Sequence, residues 1–372
     1  MKKILHYIII GVTSLLTFAS CDVHEFPEDN QELVPFLLHL DFNTEMPIYD
    51  VVTRGSESAT KAQASKYDVR YTINAYRTNK TRNESRVADA TFVFTKSDVS
   101  DLNFTAPLEL PEGTYTFRVW ADYVDAGSKE DKYYDTHDFE EVILANKKNH
   151  PGSNDYRDAF RGYTTATVTN PKYYYRMEDV AENKATAEMI RPLGKFKLIS
   201  TDVDGFLNRV HQMLKDKGVI LSSNSDNDID FETNTKAAYE KLMQRINFGD
   251  YYAVIKYAIF MPCSFNMFTD KPADIWEGMS FKSPLIIDEN NEICIGFDYV
   301  FVNGSSTTLS ISLEVYNGDN ELVSSTNGFD VPIVRSKLTI VKGNFLTSKA
   351  TGGVSINPGY EGKDFDIDIT IR

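Results

Sequence analysis

The sequence contains little that would support catalysis or metal binding. It has three cysteines and six histidines in 372 residues, and no two histidines lie at metal-ligand spacing. It contains no Cys-x-x-Cys, His-Glu-x-x-His or Gly-x-Ser-x-Gly motif and no phosphate-binding glycine loop. We therefore predict that the protein is not an enzyme, and the sequence indicates no catalytic residue, no metal ligand and no cofactor.

Basic residues are outnumbered, and cysteine is almost missing from the body of the chain. The 39 Lys and Arg residues face 54 Asp and Glu residues, giving a net charge of −15. This balance disfavours nucleic acid or an anionic lipid surface as a partner. Beyond residue 21 only Cys263 and Cys294 remain. They could form one disulfide in an oxidising compartment, and two buried free thiols are the alternative.

The N-terminal apolar run, residues 4–18, is too short and interrupted for a membrane span of about 20 apolar residues. Lys2 and Lys3 precede it, and two small residues lead to Cys21. This pattern predicts a lipoprotein signal peptide, residues 1–20, cleaved before a lipid-bearing Cys21. Residues 21–32, which are acidic and contain a proline, are interpreted as a tether. The alternative is an ordinary secretory signal cut near Ala19, which would leave Cys21 as a thiol.

The length, with 42% hydrophobic and 12% aromatic residues, predicts two cores. Short runs with period-2 alternation recur along the chain, as in residues 68–77, and predict antiparallel β-sandwiches. We expect an N-terminal domain over residues 33–190 and a C-terminal domain over residues 191–372. Helical spacing of apolar residues predicts two helices in the second domain, near residues 202–217 and 235–246. A last strand is expected over residues 365–371.

The aromatic residues suggest sugar binding as a further possible function. Several could stack on sugars, namely Trp120, Tyr123, Tyr133, Tyr134 and residues 173–175. Aromatic residues are also ordinary components of strands and cores, which is the interpretation we favour.

Several segments in their order along the chain carry a resemblance to a known family. They are the signal ending in Ala-Ser-Cys, the early strand ending in His-Leu-Asp-Phe at residue 42, and residues 191–196, 331–339 and 343–347. With these segments the chain resembles the fimbrillin superfamily of Bacteroidales, and within it the lipoproteins grouped with fimbrial anchor (FimB-type) subunits. The resemblance implies two tandem transthyretin-like β-sandwiches, outward-facing attachment to the outer membrane, and a role in fimbria assembly or adhesion.

The predicted function is therefore that of a cell-surface lipoprotein, a fimbrial anchor or accessory subunit that binds other protein subunits by strand addition. A surface glycan-binding lipoprotein of a nutrient uptake system is the alternative. In polymerising members of the resembled family, a protease cuts after an arginine that follows the first strand. Arg54 stands at such a place, but a cut there would sever the body from Cys21. The chain is therefore expected to keep its first strand, and we expect no spare donor strand after residue 371.

Overall fold

A computed structural model describes residues 32–47, 66–78, 86–173, 182–216, 248–287 and 292–348. Within these ranges the protein is mostly β, as the sequence predicts. Several predicted features lie outside the described residues: the signal peptide with Cys21, the linker with Arg54, the helix near residues 235–246 and the strand at residues 365–371.

The described elements are short strands and one α-helix. In chain order they are β1 (Leu33–Phe42), β2 (Tyr67–Arg77), β3 (Ala90–Lys96), β4 (Phe104–Pro111), β5 (Gly113–Asp125), β6 (Tyr134–Asp135), β7 (Val142–Leu144), β8 (Phe160–Val168), β9 (Lys184–Met189), β10 (Leu193–Ser200), α1 (Val203–Asp216), β11 (Tyr252–Tyr257), β12 (Phe260–Pro262), β13 (Ser264–Asn266), β14 (Lys271–Pro272), β15 (Ile275–Glu277), β16 (Ser280–Pro284), β17 (Ile286–Ile287), β18 (Ile293–Phe301), β19 (Ser306–Tyr316), β20 (Leu322–Val334) and β21 (Leu338–Gly343).

The described chain divides into two compact units. Unit 1 contains β1 to β5, β8 and β9, and unit 2 contains β6, β7, α1 and β10 to β21. The chain leaves unit 1 after Lys132, contributes residues 133–159 to unit 2, and returns to unit 1 at Phe160. Strand β7, which lies within the range expected for the first domain, pairs with β13 of unit 2.

Unit 1 is built from a three-stranded sheet, β4-β1-β9, and a four-stranded sheet, β3-β2-β5-β8. Strand β1 alternates strictly, with Val34, Phe36, Leu38 and Leu40 buried and the residues between them exposed. The Phe36 ring stacks on Phe117 of β5 with centroids 5.3 Å apart, so the buried faces of the two sheets meet in one core. This is the period-2 pattern that the sequence shows.

Unit 2 repeats this architecture with additions. One sheet has the order β17-β18-β10-β21, and the other has the order β16-β11-β19-β20. Phe196 of β10 contacts Tyr257 of β11 edge to face, with ring centroids 6.4 Å apart. Two smaller sheets, β12-β15 and β14-β13-β7-β6, complete the unit.

The two units share one strand order and the same strand directions. In each, the first strand lies between an antiparallel and a parallel neighbour: β1 between β4 and β9, and β10 between β18 and β21. The second strand of each unit, β2 or β11, is flanked on both sides by antiparallel partners. Unit 2 inserts α1 between its first and second strands, which accounts for the helical spacing there.

Helix α1 fastens the loop that follows β21. The Asp202 carboxylate, just before the helix, accepts the backbone N–H of Thr347 at 2.6 Å. Arg209 of α1 donates to the Thr347 carbonyl at 2.6 Å and to the Val323 carbonyl at 3.0 Å. Phe345 and Leu346, in the same loop, are buried. The segment 343–347, which contributes to the family resemblance, is therefore part of the structural core of unit 2.

No helix in the described part of the chain is long and apolar enough to cross a membrane.

Candidate functional site

A protein that binds others by strand addition must have an unprotected sheet edge, so the edges of both units are the candidate site. Backbone groups alternate along a strand between the two sides, and the ladder register shows which groups face outward. Among the edges of the described sheets, most are blocked by proline, by hydrogen bonds to a neighbour or by their short length.

The β4 edge is blocked by proline. The backbone N–H of Leu37 in β1 donates to Asn183 on the β9 side, so the even-numbered residues of β1 pair with β4. The outward positions of β4 are then Thr105, Pro107, Glu109 and Pro111. Two of these four lack an N–H, so an incoming strand would leave its own acceptors unpaired.

Two edges of unit 2 are also blocked by an outward-facing proline. In β16 the residues that pair with β11 are Phe281 and Ser283, which turns Pro284 outward. In β20 the residues that pair with β19 include Val331 and Ile333, which turns Pro332 outward. The repetition of outward-facing proline in β4, β16 and β20 indicates protection against unwanted pairing.

Strands β8 and β9 protect each other. Arg161 and Ile190 exchange both backbone hydrogen bonds at one end, and the Asn183 side chain bonds both backbone groups of Thr169 at the other. A Cβ added at Gly162 of β8 would come within 2.8 Å of the Glu188 carbonyl oxygen of β9, so the backbones are in close contact. Gly162 is required for this approach.

Strand β21 is partly covered. Its outward positions are Leu338, Ile340 and Lys342, because Lys195 of β10 bonds Lys337 on the inner side. The Leu338 N–H donates to the Pro47 carbonyl at 3.1 Å. This bond covers one of the three outward positions of the β21 edge. The other two are Ile340 and Lys342.

Strand β3 is an edge that the described residues of unit 1 leave unprotected. The Thr78 N–H donates to Thr114 on the β5 side, so the odd-numbered residues of β2 pair with β3. Thr91, Val93 and Thr95 therefore direct their backbone groups outward, and these groups make no hydrogen bond to the described part of the chain. None of the three is proline, and all three side chains are only half-buried.

The charged cluster of unit 2 is buried and has a structural role. Asp298 of β18 is buried and pairs with the Arg157 guanidinium. The His150 Nε2 lies 2.5 Å from an Asp298 carboxylate oxygen, and the Tyr257 hydroxyl donates to the same oxygen. Burial, with the nearby Arg157 cation, lowers the pKa of His150 to about 2, so the imidazole is neutral and donates to the carboxylate. No group of this cluster reaches solvent.

This cluster attaches residues 133–159 to the sheets of unit 2. His150 and Arg157 belong to that segment, whereas Asp298 and Tyr257 belong to β18 and β11. The Tyr134 hydroxyl donates to the Arg157 carbonyl at 2.5 Å, which fixes the same segment from its other end. Sequence analysis missed the cluster because its members are far apart in the chain and no local pattern links them.

The sequence-predicted residues have mixed outcomes. Cys263 and Cys294 are not joined by a disulfide in the structure. Burial raises the pKa of the Cys263 thiol to about 11, despite the opposing effect of Lys147. Cys21 and Arg54 lie outside the described residues, so lipidation and cleavage stay predictions.

Four of the aromatic residues suggested for sugar stacking are not available for it. Trp120, Tyr123, Tyr133 and Tyr134 are all buried, and the side chains of residues 173–175 lie outside the described part. An aromatic ring must expose a face to stack on a sugar, so the core interpretation is correct for these four.

Comparison with known proteins gives a family and a set of structural neighbours. The chain belongs to a family of unknown function, DUF6562, whose model matches residues 31–371. No curated protein matches it.

Several solved structures resemble the chain at low sequence identity. A candidate cell adhesion protein from Bacteroides eggerthii has a TM-score of 0.39 and 11% identity, over 88% of this chain and 91% of that one. The fimbrial anchor protein Mfa2 from Porphyromonas gingivalis has a TM-score of 0.32 and 11% identity, over 79% and 82%. A candidate polysaccharide-binding protein from Bacteroides thetaiotaomicron has a TM-score of 0.36 and 12% identity, over 78% of this chain and 80% of that one. Fimbrial anchor proteins are the class that the sequence resemblance indicated. At TM-scores below 0.5, these likenesses support no functional assignment.

Proposed function

We propose that this protein is a lipid-anchored cell-surface protein that serves as a fimbrial anchor or accessory subunit. The observation that carries the proposal is the position of β1. This strand starts 12 residues after Cys21 and lies in the middle of its sheet, hydrogen-bonded to β4 on one side and β9 on the other. A pull on a lipid at Cys21 would act on a central strand, which separates only when two ladders break together.

The architecture supports a role in binding other protein subunits. The shared strand order of the two units is that expected of tandem transthyretin-like sandwiches, which the family resemblance implies. An extended segment from another subunit would add to an unprotected edge through main-chain hydrogen bonds, and alternate side chains would fill pockets. In this proposal the body faces the cell exterior, where such subunits assemble.

Replacing the anchoring cysteine tests the location and the role together. In cells that carry Cys21→Ser, we expect the protein to leave the membrane fraction, because two or more lipid chains are needed for stable attachment. If the protein is a fimbrial anchor, fimbriae will also appear in the culture medium. Asp22→Ser, which leaves the cysteine in place, is the control.

Two outcomes would contradict the proposal. Cys21→Ser protein that stays with membranes after high-salt and carbonate washing excludes lipidation at this residue. If the Cys21→Ser protein is soluble but the fimbriae stay on the cells, the anchoring role is excluded, whereas lipidation of Cys21 in the wild type is supported.

The linker arginine gives a separate prediction. Because cleavage after Arg54 would separate Cys21 from the body, the mature protein is expected to remain uncut there. Intact mass spectrometry of protein from native membranes should show one chain that begins at a lipidated Cys21. A dominant species that begins at Gly55, found in high-mass polymers, would instead identify a stalk or tip subunit.

A further inference from the structure

Strands β12 and β15 form a two-stranded ribbon in unit 2 whose outer strand is exposed on both faces. The three residues of β15, Ile275, Trp276 and Glu277, are all exposed. In the described part of the chain, four of the ten large hydrophobic side chains that are exposed lie on this ribbon or directly before it, namely Ile259, Phe260, Ile275 and Trp276. Single exposed hydrophobic residues are ordinary, whereas a group of neighbouring ones marks a binding surface.

The outer edge of β15 also carries unused backbone groups. The Cys263 N–H donates to the Asp274 carbonyl at 3.0 Å, so the backbone groups of Asp274 and Trp276 point toward β12. The backbone groups of Ile275 and Glu277 then point away from β12, and they make no hydrogen bond to the described part of the chain. Neither residue is proline, so this edge can accept another strand. Two outward residues hold a strand weakly by themselves, so the side chains beside them must contribute.

We propose that β15 binds an extended segment of another protein, which adds to this edge as an antiparallel strand. The residues of the segment that face Ile275 and Glu277 each exchange two backbone hydrogen bonds with them. Facing side chains lie on the same side of a sheet and contact each other. The segment therefore carries a lysine or arginine opposite Glu277 and an apolar residue opposite Ile275, with a second apolar residue between them.

The two faces of the ribbon select these side chains. Phe260 pairs with Glu277, so Phe260, Ile275 and Glu277 are neighbours on one face. The Glu277 carboxylate is exposed and forms no ion pair within the described part of the chain, so a cation of the segment can reach it. On the other face the Lys147 Nζ lies 4.8 Å from the centroid of the Trp276 ring, and Trp276 is still 36% exposed. The middle apolar residue of the segment covers this ring.

A polypeptide fits this surface better than a lipid bilayer does. Insertion into a bilayer would place the outward N–H and C=O groups of β15 and the Glu277 carboxylate in hydrocarbon, where polar groups without partners are strongly unfavourable. An extended segment supplies partners for the same groups. This inference goes beyond the proposed function, because it concerns a different edge from β3 and holds whether or not the protein is a fimbrial subunit.

Synthetic peptides test the pairing with the purified full-length chain. The peptide used has Lys-Val-Ile at its centre and threonines on both sides. We expect it to shift the Trp276 emission to shorter wavelength, because it covers an exposed ring, whereas Trp120 is fully buried and unaffected. Methylation of the backbone nitrogens of its lysine and isoleucine removes the two N–H donors and should weaken binding about tenfold.

A charge swap tests the contact with Glu277. We expect Glu277→Lys to bind the Lys-Val-Ile peptide roughly fivefold more weakly than the wild type does, and to bind a Glu-Val-Ile peptide more tightly. Tighter binding of the second peptide also shows that the variant is folded. The control is Glu109→Lys, which makes the same charge change at an exposed position of the proline-blocked β4 edge and should leave both affinities unchanged.

Several results would overturn the proposal. They are a chain that binds none of the peptides, backbone methylation without effect, and equal affinities of Glu277→Lys and Glu109→Lys for both peptides. A Trp276 emission that shifts with uncharged lipid vesicles but not with the Lys-Val-Ile peptide would show a membrane contact in its place. Self-association of the wild type that Glu277→Lys abolishes, without peptide binding, would show that a second copy occupies the edge.

Discussion

Residues 191–372, produced without the preceding chain, are expected to remain unfolded. This fragment is the second domain as the sequence delimits it, yet it lacks the segment 133–159 that belongs to unit 2. Without that segment β13 loses β7, and Asp298 is left buried with neither Arg157 nor His150. A buried carboxylate that loses its partners costs about 3–5 kcal/mol, a large part of the stability of a typical domain.

Fluorescence provides the measurement and co-expression the control. The chain has two tryptophans, and the fragment retains only Trp276 of β15. Because Trp276 is already exposed in the folded chain, the expected result is that its emission shows no cooperative transition in urea. Co-expression with residues 1–190 supplies the missing segment and should recover a soluble complex. A fragment that unfolds cooperatively by itself would show that residues 133–159 are dispensable.

The second large effect is expected from Asp298→Asn. The change keeps the shape of the side chain but removes the charge that balances Arg157, which is itself buried. We expect a loss of about 3–5 kcal/mol in the unfolding free energy of unit 2. His150 carries no negative charge in either protonation state, so it cannot balance the Arg157 cation.

A matched variant separates this effect from the loss of any ion pair. Glu292→Gln removes the partner of Lys342, a pair in unit 2 whose side chains are partly exposed. Surface pairs of this kind contribute about 0–1 kcal/mol. Urea unfolding followed by Trp276 fluorescence, in a Trp120→Phe background, reports on unit 2 alone. Equal midpoints for Asp298→Asn and Glu292→Gln would mean that the cluster does not stabilise the unit.

Local pattern was sufficient for β1 and β2. The sequence predicts an early strand that ends at residue 42, where β1 ends, and in β1 the side chains alternate between core and solvent. It also predicts a strand at residues 68–77, within one residue of β2, although β2 is buried on both faces. The helix expected near residues 202–217 is found at Val203–Asp216, where apolar residues recur at helical spacing.

Other strands were missed. Strand β9 reads Lys-Ala-Thr-Ala-Glu-Met and does alternate, but two of its three apolar residues are small alanines, so the pattern is weak. It lies just before the expected domain limit at residue 190 and is the parallel partner of β1. A parallel partner is distant in sequence and leaves no local turn signal. The short strands β13, β14, β15 and β17 are likewise formed by tertiary pairing, since two or three residues carry no period.

The sequence by itself determined the β-rich class and the N-terminal signal pattern, since each depends on composition or on residues that are close in the chain. Only the tertiary structure decided that residues 133–159 belong to unit 2, that Asp298 holds them, and which sheet edges are blocked. Outward-facing proline in β4 is visible only when the register with β1 is known. Register depends on which distant strands pair, and pairing is a property of the whole fold.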